Sequence, residues 1–181
     1  MEAPVQKGER LWSGEGIAIW ATDQEERLIL AFDDPSVCEA AHAVQLLLRR
    51  HALNSSFLER LDSNSFLIRR VEPLPLEVVA ESIPGETRIV FQGLTGDALS
   101  PEEVLALEGL SPKRVEMMED LVMHAARSLR AHLTLHGVDH LRLVMRFGVT
   151  ADGACLPQVV NPRNCDLGTT DMEQLANILG G

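Results

Sequence analysis

Apolar and polar residues alternate in short runs along the first third of the chain. The pattern predicts two strands between residues 10 and 20, joined by a Ser-Gly-Glu-Gly turn, and a third strand at 27–32. Two more strands are predicted at 57–61 and 66–71, on either side of a polar turn. These segments together indicate a small antiparallel sheet.

Helical spacing of apolar residues appears between and after these strands. Asp33-Asp34-Pro35-Ser36 is followed by apolar residues every three or four positions as far as Leu48, which predicts a helix. Ser100-Pro101-Glu102-Glu103 is typical of a capping box with proline at the first helical position, so a short helix is expected to about Glu108. Ser111-Pro112 opens a much longer helix.

The second half of the chain adds strands to these helices. Strands are predicted at 76–81 and 88–92, a β-hairpin at 142–147 and 155–160, and a last short helix at 171–179. Antiparallel strands mixed with a few helices indicate an α+β fold.

The segment Glu72-Pro73-Leu74-Pro75 has the stiffness of a connector, because its two prolines fix φ and restrict the residues before them. We therefore predict two lobes that meet at this segment. Residues 1–72 would form a small β-rich lobe with one helix. Residues 73–181 would form a larger α+β lobe with the long helix and the C-terminal hairpin.

Composition narrows the class of partner. The chain has 45% apolar and 24% charged residues, as folded globular proteins do, and a net charge of −11. This charge argues against nucleic acid as a partner, and no apolar run approaches the roughly 20 residues of a membrane span. Three cysteines without paired spacing suggest neither a disulfide framework nor a metal site. A cytoplasmic location is expected.

The predicted lobe connector carries the most specific motif. Residues 68–79 read Ile-Arg-Arg-Val-Glu-Pro-Leu-Pro-Leu-Glu-Val-Val. They resemble the Val-Glu-x-x-Pro-Leu-Glu-Val-Val-Val-Arg-Asn of the phosphoribosylaminoimidazole-succinocarboxamide (SAICAR) synthase family. Residues 10–14 and 28–34 resemble its opening strands, and 146–148 and 161–165 resemble its late Glu-Phe-Gly and Ser-Pro-Asp-x-x-Arg motifs. The chain is thus similar to a shortened and diverged member of the family over nearly its whole length.

The resemblance implies both a fold and a chemistry. The fold is a two-lobed α+β arrangement of antiparallel sheets flanked by helices, related to ATP-grasp and kinase-like architectures, with ATP between the lobes. The reaction, a step of purine biosynthesis, activates a carboxylate by phosphoryl transfer and then joins it to aspartate as an amide. Such a ligase needs lysine for the phosphates, carboxylates for Mg²⁺ and basic groups for anionic substrates.

Most of the charged positions that the resemblance assigns to this chemistry differ in this chain. The family's Gly-Lys-x-Lys nucleotide turn is Gly14-Glu15-Gly16-Ile17, where a carboxylate would repel triphosphate. The substrate-binding loop after the second family strand is absent, since Asp34 runs almost directly into a helix. The arginine of Val-Val-Val-Arg-Asn aligns with Glu81.

The late hairpin also differs from the family motif at its charged positions. The family's Asp-Phe-Lys-Leu-Glu-Phe-Gly aligns with residues 142–148, so its two acids become Arg142 and Arg146. The metal-binding Asp-Glu of the partner strand becomes Gln158-Val159, and the Asp and Arg of the last loop are exchanged, as Arg163 and Asp166. We therefore expect the parent reaction to be lost, and no catalytic residue or metal ligand is assigned.

The reversed charges suggest a different use of the cleft. Alternation along a strand places Arg142 and Arg146 on one face, which the resemblance assigns to the old nucleotide and metal site. Arginine engages carboxylates and phosphates bidentately, so an anionic small molecule is the predicted ligand. The candidate ligand-binding residues are Arg142, Arg146, Arg163, Glu81, Gln158 and Gly14. The alternative is that the arginines pair with Asp139, Asp152, Asp166 or nearby glutamates, or project into water.

Three functions remain open from the sequence. The first is a diverged protein that binds a nucleotide, phosphate or carboxylate between the lobes, with no cofactor expected. The second is a non-catalytic regulatory or partner-binding subunit, either with another protein or as a homo-oligomer. The third is the parent ligase, which would require ATP and Mg²⁺. A deep cleft lined by Arg142, Arg146 and Glu81 would favour the first function, and an exposed apolar patch would favour the second.

Overall fold

The structure is a computed structural model that describes residues 4–180, so residues 1–3 and 181 of the predicted lobes lie outside the described range. Within that range the strands are β1 (Lys7–Gly14), β2 (Ile17–Thr22), β3 (Arg27–Phe32), β4 (Phe57–Arg60), β5 (Ser65–Arg69), β6 (Glu72–Ile83), β7 (Glu86–Gln92), β8 (Leu141–Val149) and β9 (Cys155–Pro157). The helices are α1 (Pro35–Arg50), α2 (Pro101–Ala106), α3 (Pro112–Thr134) and α4 (Met172–Gly180).

The first sheet is antiparallel and has the strand order β1-β2-β3-β5-β4. Its first two strands are joined by the two-residue turn Glu15-Gly16, in which both residues have positive φ, at 54° and 76°. Such turns match the twist of the flanking strands. One face of this sheet packs against α1 and forms a small core that includes Phe32, Phe57 and Phe66.

The second sheet has the order β7-β6-β8-β9, and α3 packs against one of its faces. The alternation predicted for β8 is confirmed there. Leu143, Met145 and Phe147 are buried in the larger core, while Arg142 and Arg146 point to the opposite face. The residues that α3 contributes to the larger core recur at helical spacing. One face of that helix therefore packs on the sheet.

Helix α1 connects the two cores. Its N-terminus is capped by the Asp34 carboxylate, which accepts a hydrogen bond from the backbone N–H of Ser36 at 2.8 Å. Val37 belongs to the smaller core, whereas Val44 and Leu48 belong to the larger one. Helix α4 packs along α1, so the C-terminal segment returns to the junction of the two sheets.

Some predicted boundaries need correction. The predicted connector is the first part of β6, because Glu72 and Pro73 pair with Val149 and Gly148 of β8. Two prolines are tolerated because the pairing is irregular between Pro73 and Glu77, as in a β-bulge. The predicted boundary between residues 72 and 73 therefore falls at the start of a strand.

Other elements match their predictions within a few residues. Strand β9 is shorter than predicted and ends at Pro157, although the N–H of Gln158 still donates to the carbonyl of Arg146 at 2.8 Å. Helix α2 ends at Ala106. The α+β class is confirmed. In the described residues, no helix combines the length and the apolar character that crossing a membrane requires.

Candidate functional site

The predicted site lies where the two sheets face each other. Three segments meet there: the β1–β2 turn, the polar face of β6 and β8, and a loop that follows β9 and contains a 3-10 turn at Pro162–Asn164. We refer to this region as the interlobe cleft. The side chains in it come from distant parts of the sequence, so their contacts report how the lobes are held together.

The guanidinium of Arg146 holds the tip of the β1–β2 turn. Its Nη1 and Nη2 donate to the two carboxylate oxygens of Glu15 at 3.0 and 3.1 Å. Its Nε donates to Oε1 of Glu77 at 2.8 Å, and its Nη2 lies 2.6 Å from the same oxygen. All three nitrogens of this arginine are therefore engaged by carboxylates, one from the first sheet and one from the second.

Glu77 is the more deeply placed of these two carboxylates. It is 7% exposed and stands directly opposite Arg146 across β6 and β8. Its second oxygen accepts a hydrogen bond from Nε2 of Gln92 at 2.7 Å. A buried carboxylate is stable only when paired and hydrogen-bonded, and both conditions are met here by protein groups alone.

The same contacts shift the pKa values of Glu15 and Arg146 in opposite directions. The hydrogen bond from Arg146 lowers the pKa of the Glu15 carboxyl below 4.5, although partial burial opposes this. Burial disfavours the charged form of Arg146, but hydrogen bonds to Glu15 and Glu77 outweigh it and raise the pKa of the guanidinium. The pair is therefore ionic over the whole physiological range.

Two asparagines of the loop after β9 also form hydrogen bonds with the β1–β2 turn. Nδ2 of Asn164 donates to the Glu15 carboxylate at 3.4 Å, and Nδ2 of Asn161 donates to the Glu15 carbonyl at 3.5 Å. Both bonds are long, and they add a third segment of the chain to the contacts of the turn. The turn that the resemblance assigns to nucleotide binding is thus bound by the protein's own side chains.

Arg163 forms a second link across the cleft. Its Nη1 donates to the Asp33 carboxylate at 2.7 Å, and its Nη2 lies 3.7 Å from a carboxylate oxygen of Asp34. The guanidinium passes directly over Gly16, where a Cβ atom would collide with it. Bonds from the hydroxyl and the N–H of Ser36, with a smaller contribution from Arg163, lower the pKa of Asp34.

Arg142 differs from the other two arginines. It stands opposite Glu81 in the register of β6 and β8, but Glu81 pairs instead with Arg88 at 3.1 Å on an exposed surface. The Nη1 of Arg142 makes one long hydrogen bond, 3.4 Å, to the carbonyl of Asn164. Among residues 4–180, no carboxylate forms an ion pair with Arg142.

The remaining predicted site residues lie at the margins of this network. Nε2 of Gln158 donates to the carbonyl of Phe147 at 3.0 Å, so the amide is used within its own hairpin. Val159, next to it, packs against the core of the first sheet. Gly14 ends β1, where a Cβ atom would meet the Trp12 ring at 2.8 Å. The contact with Trp12 is sufficient to explain why this position is a glycine, and no bound ligand is needed for that explanation.

Two other groups with the potential for chemistry, His132 and Cys165, are engaged or buried. Nε2 of His132 lies 2.7 Å from the carbonyl of Ile178. Burial raises the pKa of the Cys165 thiol to about 11, which makes it a poor nucleophile. Between residues 4 and 180, no group of three or more His, Cys, Asp or Glu side chains is placed to hold a metal ion.

The sequence does not identify the partners of the arginines. Glu77 and Gln92 are absent from the predicted site, and Asp33 is predicted only as the end of a strand. One signal is available for Glu77: it lies four residues before Glu81 on the same strand, and therefore on the same face. Nothing in the sequence indicates that Asp33 and Arg163, which are 130 residues apart, would meet.

Solved structures define the class of this fold. The chain superposes on a phosphoribosylaminoimidazole-succinocarboxamide synthase from Ehrlichia chaffeensis with a TM-score of 0.82 and 14% identity, covering 95% of this chain and 98% of that one. It also superposes on a type-2 SAICAR synthetase in complex with ADP, with a TM-score of 0.73 and 16% identity, covering 84% and 80% of the two chains. The fold is that of the SAICAR synthases.

Sequence comparison agrees with the fold. The phosphoribosylaminoimidazole-succinocarboxamide synthase of Bacillus subtilis is 22% identical over 204 residues, covering 90% of this chain and 83% of the relative. No protein-family profile matches the chain. The chain is similar to the SAICAR synthases in both sequence and fold, so the predicted resemblance is confirmed. The alignment is longer than the 181-residue chain, which means that this chain has gaps relative to the enzyme.

Proposed function

We propose that the chain is a non-catalytic SAICAR synthase-like protein whose interlobe cleft is held closed by its own ion pairs. The observation that carries this proposal is the bidentate contact between Arg146 and Glu15. It joins the turn that would bind nucleotide phosphates to the strand that would face the metal, and it does so with charges opposite to those that the family chemistry needs.

Electrostatics supports the loss of ATP binding. The Glu15 carboxylate stands where the resemblance assigns a lysine, and a second carboxylate, Glu77, lies on the other side of Arg146. A triphosphate would meet the Glu15 carboxylate in place of a lysine, and an arginine that is already saturated. To bind it, the protein would have to break a bidentate ion pair and leave the buried Glu77 carboxylate without its cation, which is costly.

The chemistry of the hairpin supports the loss of Mg²⁺ binding. Magnesium needs hard oxygen ligands, usually carboxylates together with the phosphates of the substrate. Of the two positions that the resemblance assigns to metal binding, Gln158 donates its amide to Phe147, and Val159 is packed in an apolar core. Neither side chain supplies a carboxylate.

An assay of nucleotide turnover tests this proposal. Purified chain would be incubated with Mg-ATP, aspartate and the carboxylate substrate of the family reaction, and ADP formation would be followed, with the Bacillus subtilis relative as positive control. We expect no ADP above the blank. ADP formation above the blank would contradict the proposal. Loss of that turnover in Arg146→Met would show that it takes place in the interlobe cleft.

A second candidate function is binding of an anionic small molecule at Arg142. The observation that favours it is that this partly buried guanidinium has one long hydrogen bond and no ion pair among the described residues. Thermal shifts with phosphate, AMP and dicarboxylates would test it. We expect a shift that Arg142→Gln abolishes and that Arg88→Gln, at an exposed position of the same sheet, retains. Absence of any shift would remove this candidate.

The remaining expectations are retained as proposals. The three cysteines are free, which fits the reducing cytoplasm. The net charge of −11 continues to argue against nucleic acid as a partner. The division into lobes at residues 72 and 73 is supported by the two separate sheets and cores, with α1 shared between them.

A further inference from the structure

The outer edge of β7 is only partly covered. This strand ends the second sheet and pairs with β6 on one side. On the other side the carbonyl of Phe91 accepts a hydrogen bond from the N–H of Leu99. Because backbone groups alternate between the two edges of a strand, those of Ile89 and Thr87 point outward as well. Within residues 4–180, no other backbone group pairs with them on that side.

An apolar groove runs beside this open edge. It has a volume of about 500 Å³ and lies between β7 and the two helices α2 and α3. Leu105, on the rim, is 45% exposed, so its side chain is accessible to a partner. The apolar side chains that line the groove include Ile89, Phe91, Leu99, Val104, Leu105 and Val115.

The rim of the groove is acidic. Glu116 and Glu119, one helical turn apart on α3, line one side of it. Glu102 is exposed on α2, close in sequence to the lining residues. An apolar floor with an acidic rim is complementary to a segment that carries apolar side chains on one face and lysine or arginine beside them.

We propose that the open edge of β7, together with this groove, binds an extended, basic segment of a partner protein. The segment adds as a strand to β7, uses the outward groups of Thr87 and Ile89 for hydrogen bonds, and places alternate apolar side chains in the groove. An extended segment is favoured over a helix because only a strand satisfies the free backbone groups of the edge. This proposal does not depend on the loss of ligase activity.

A second copy of the chain is the less favourable occupant. Each copy carries a net charge of −11, and the acidic rims of two grooves would approach each other in an edge-to-edge dimer. Like charges across an interface oppose association. A basic partner segment would be attracted by the negative potential of the rim, whereas a second copy of the chain would be repelled by it.

A synthetic peptide serves as the probe. We suggest a labelled peptide of about seven residues with alternating valine and lysine, which matches the length of a typical added strand. Fluorescence anisotropy should show saturable binding, and hydrogen exchange should slow at the amides of Thr87 and Ile89. A peptide with the central valine replaced by proline should bind at least about tenfold more weakly, because proline cannot complete the strand.

Matched variants separate the groove from general attraction to an acidic protein. Leu105→Glu should weaken binding at least about tenfold, whereas Leu135→Glu, at a site that is 80% exposed and outside the groove, should not change it. Glu116→Lys should weaken binding as well, whereas Glu25→Lys, between β2 and β3, should have little effect. Circular dichroism would confirm that each variant is folded.

Three results would overturn the proposal. The first is no binding up to about 1 mM peptide, which corresponds to negligible affinity. The second is equal binding of a valine-glutamate peptide or of the Leu105→Glu variant. The third is a concentration-dependent dimer that protects the Ile89 amide without peptide, which would assign the edge to a second copy. An active ligase would refute the proposed function and leave this result unaffected.

Discussion

Strands β6 and β8 have two faces that differ in what they retain from the enzyme family. On one face, Val78 and Ala80 of β6 and Met145 and Phe147 of β8 are buried in the larger core. On the other face, Glu77 keeps the acid of the family's Pro-Leu-Glu-Val-Val motif, whereas Arg142 and Arg146 of β8 stand where the resemblance assigns acids. Because successive side chains of a strand alternate, the same backbone can keep the core on one face while the charged side chains differ on the other.

The two faces also differ in the kind of interaction that holds them. Burial of large apolar side chains is the main stabilising term in a folded protein, and each one contributes roughly 2–3 kcal/mol. Ion pairs contribute less, and their value depends on desolvation and geometry. The apolar face should therefore dominate stability, whereas the charged face should decide whether the cleft opens. The following variants test that division.

The largest effect is expected on the apolar face. Phe147→Ala removes a ring that is 1% exposed, and we expect a loss of about 3–5 kcal/mol in the free energy of unfolding. Urea denaturation measures this loss. Arg142→Ala, on the other face of the same strand, is the control and should change stability by about 0.5 kcal/mol or less. Similar losses for the two variants would contradict the division between the faces.

The next effect concerns the centre of the cleft. Arg146→Met leaves Glu77 buried without its cation, so we expect a loss of about 3 kcal/mol in the free energy of unfolding, measured by urea denaturation. Adding Glu77→Gln to this variant removes the uncompensated charge and should restore part of the stability. A double variant less stable than Arg146→Met alone would show that Glu77 does more than balance the charge of Arg146.

A smaller effect is expected at the turn. Gly16→Ala places a Cβ against Arg163 at a residue with φ of +76°, and we expect a loss of about 1–2 kcal/mol. Gly85→Ala is a close control, since φ there is +83° and a Cβ would meet no atom within 4 Å. The difference between the two losses, measured by urea denaturation, reports the link to Arg163. In an Arg163→Ala background that difference should shrink, because of the two side chains near this Cβ position only the Asp33 carboxylate, at 3.0 Å, would remain.

The smallest effect is a change in pH dependence. The pKa of Glu15 is lowered in the folded state, so its ion pair stabilises the protein above the unfolded value of about 4.5 and is lost as pH falls through the folded pKa. Glu15→Gln should therefore flatten the acid side of the stability profile below about pH 4.5, whereas the exposed control Glu25→Gln should leave it nearly unchanged. Unfolding measured between about pH 6 and pH 3 would test this, and parallel profiles for the wild type and Glu15→Gln would contradict it.

Much of the fold could be predicted because it depends on local patterns. The capping box at Ser100 is present, with its side chain bonded to the N–H of Glu103, and β8 buries the face that alternation assigned to the core. The segment with Pro73 and Pro75 is predicted as a connector because its prolines fix φ and restrict the residues before them. An irregularity in the pairing of β6 with β8 accommodates them, and such a feature leaves no clear pattern in the sequence.

The site was less predictable because its contacts are between residues far apart in the chain. The sequence pointed to reversed charges at Arg146 and Arg163, and both arginines are in the cleft. It did not indicate that Glu15 and Asp33 would be their partners, since these pairs are separated by 131 and 130 residues. Pairing of the arginines with acids is one of the alternatives that the sequence leaves open. In the described residues, however, the named aspartates Asp139, Asp152 and Asp166 form no ion pair with these arginines. Alternation and alignment do not show which distant acids come close.

The central claim is that the protein's own ion pairs take the place of nucleotide in the cleft, and calorimetric titration with Mg-ATP tests it most directly. The Bacillus subtilis relative would serve as the positive control. We predict no heat of binding for this chain up to about 1 mM nucleotide, which corresponds to negligible affinity. Binding in the micromolar range would contradict the claim and restore ATP-dependent ligation as the function.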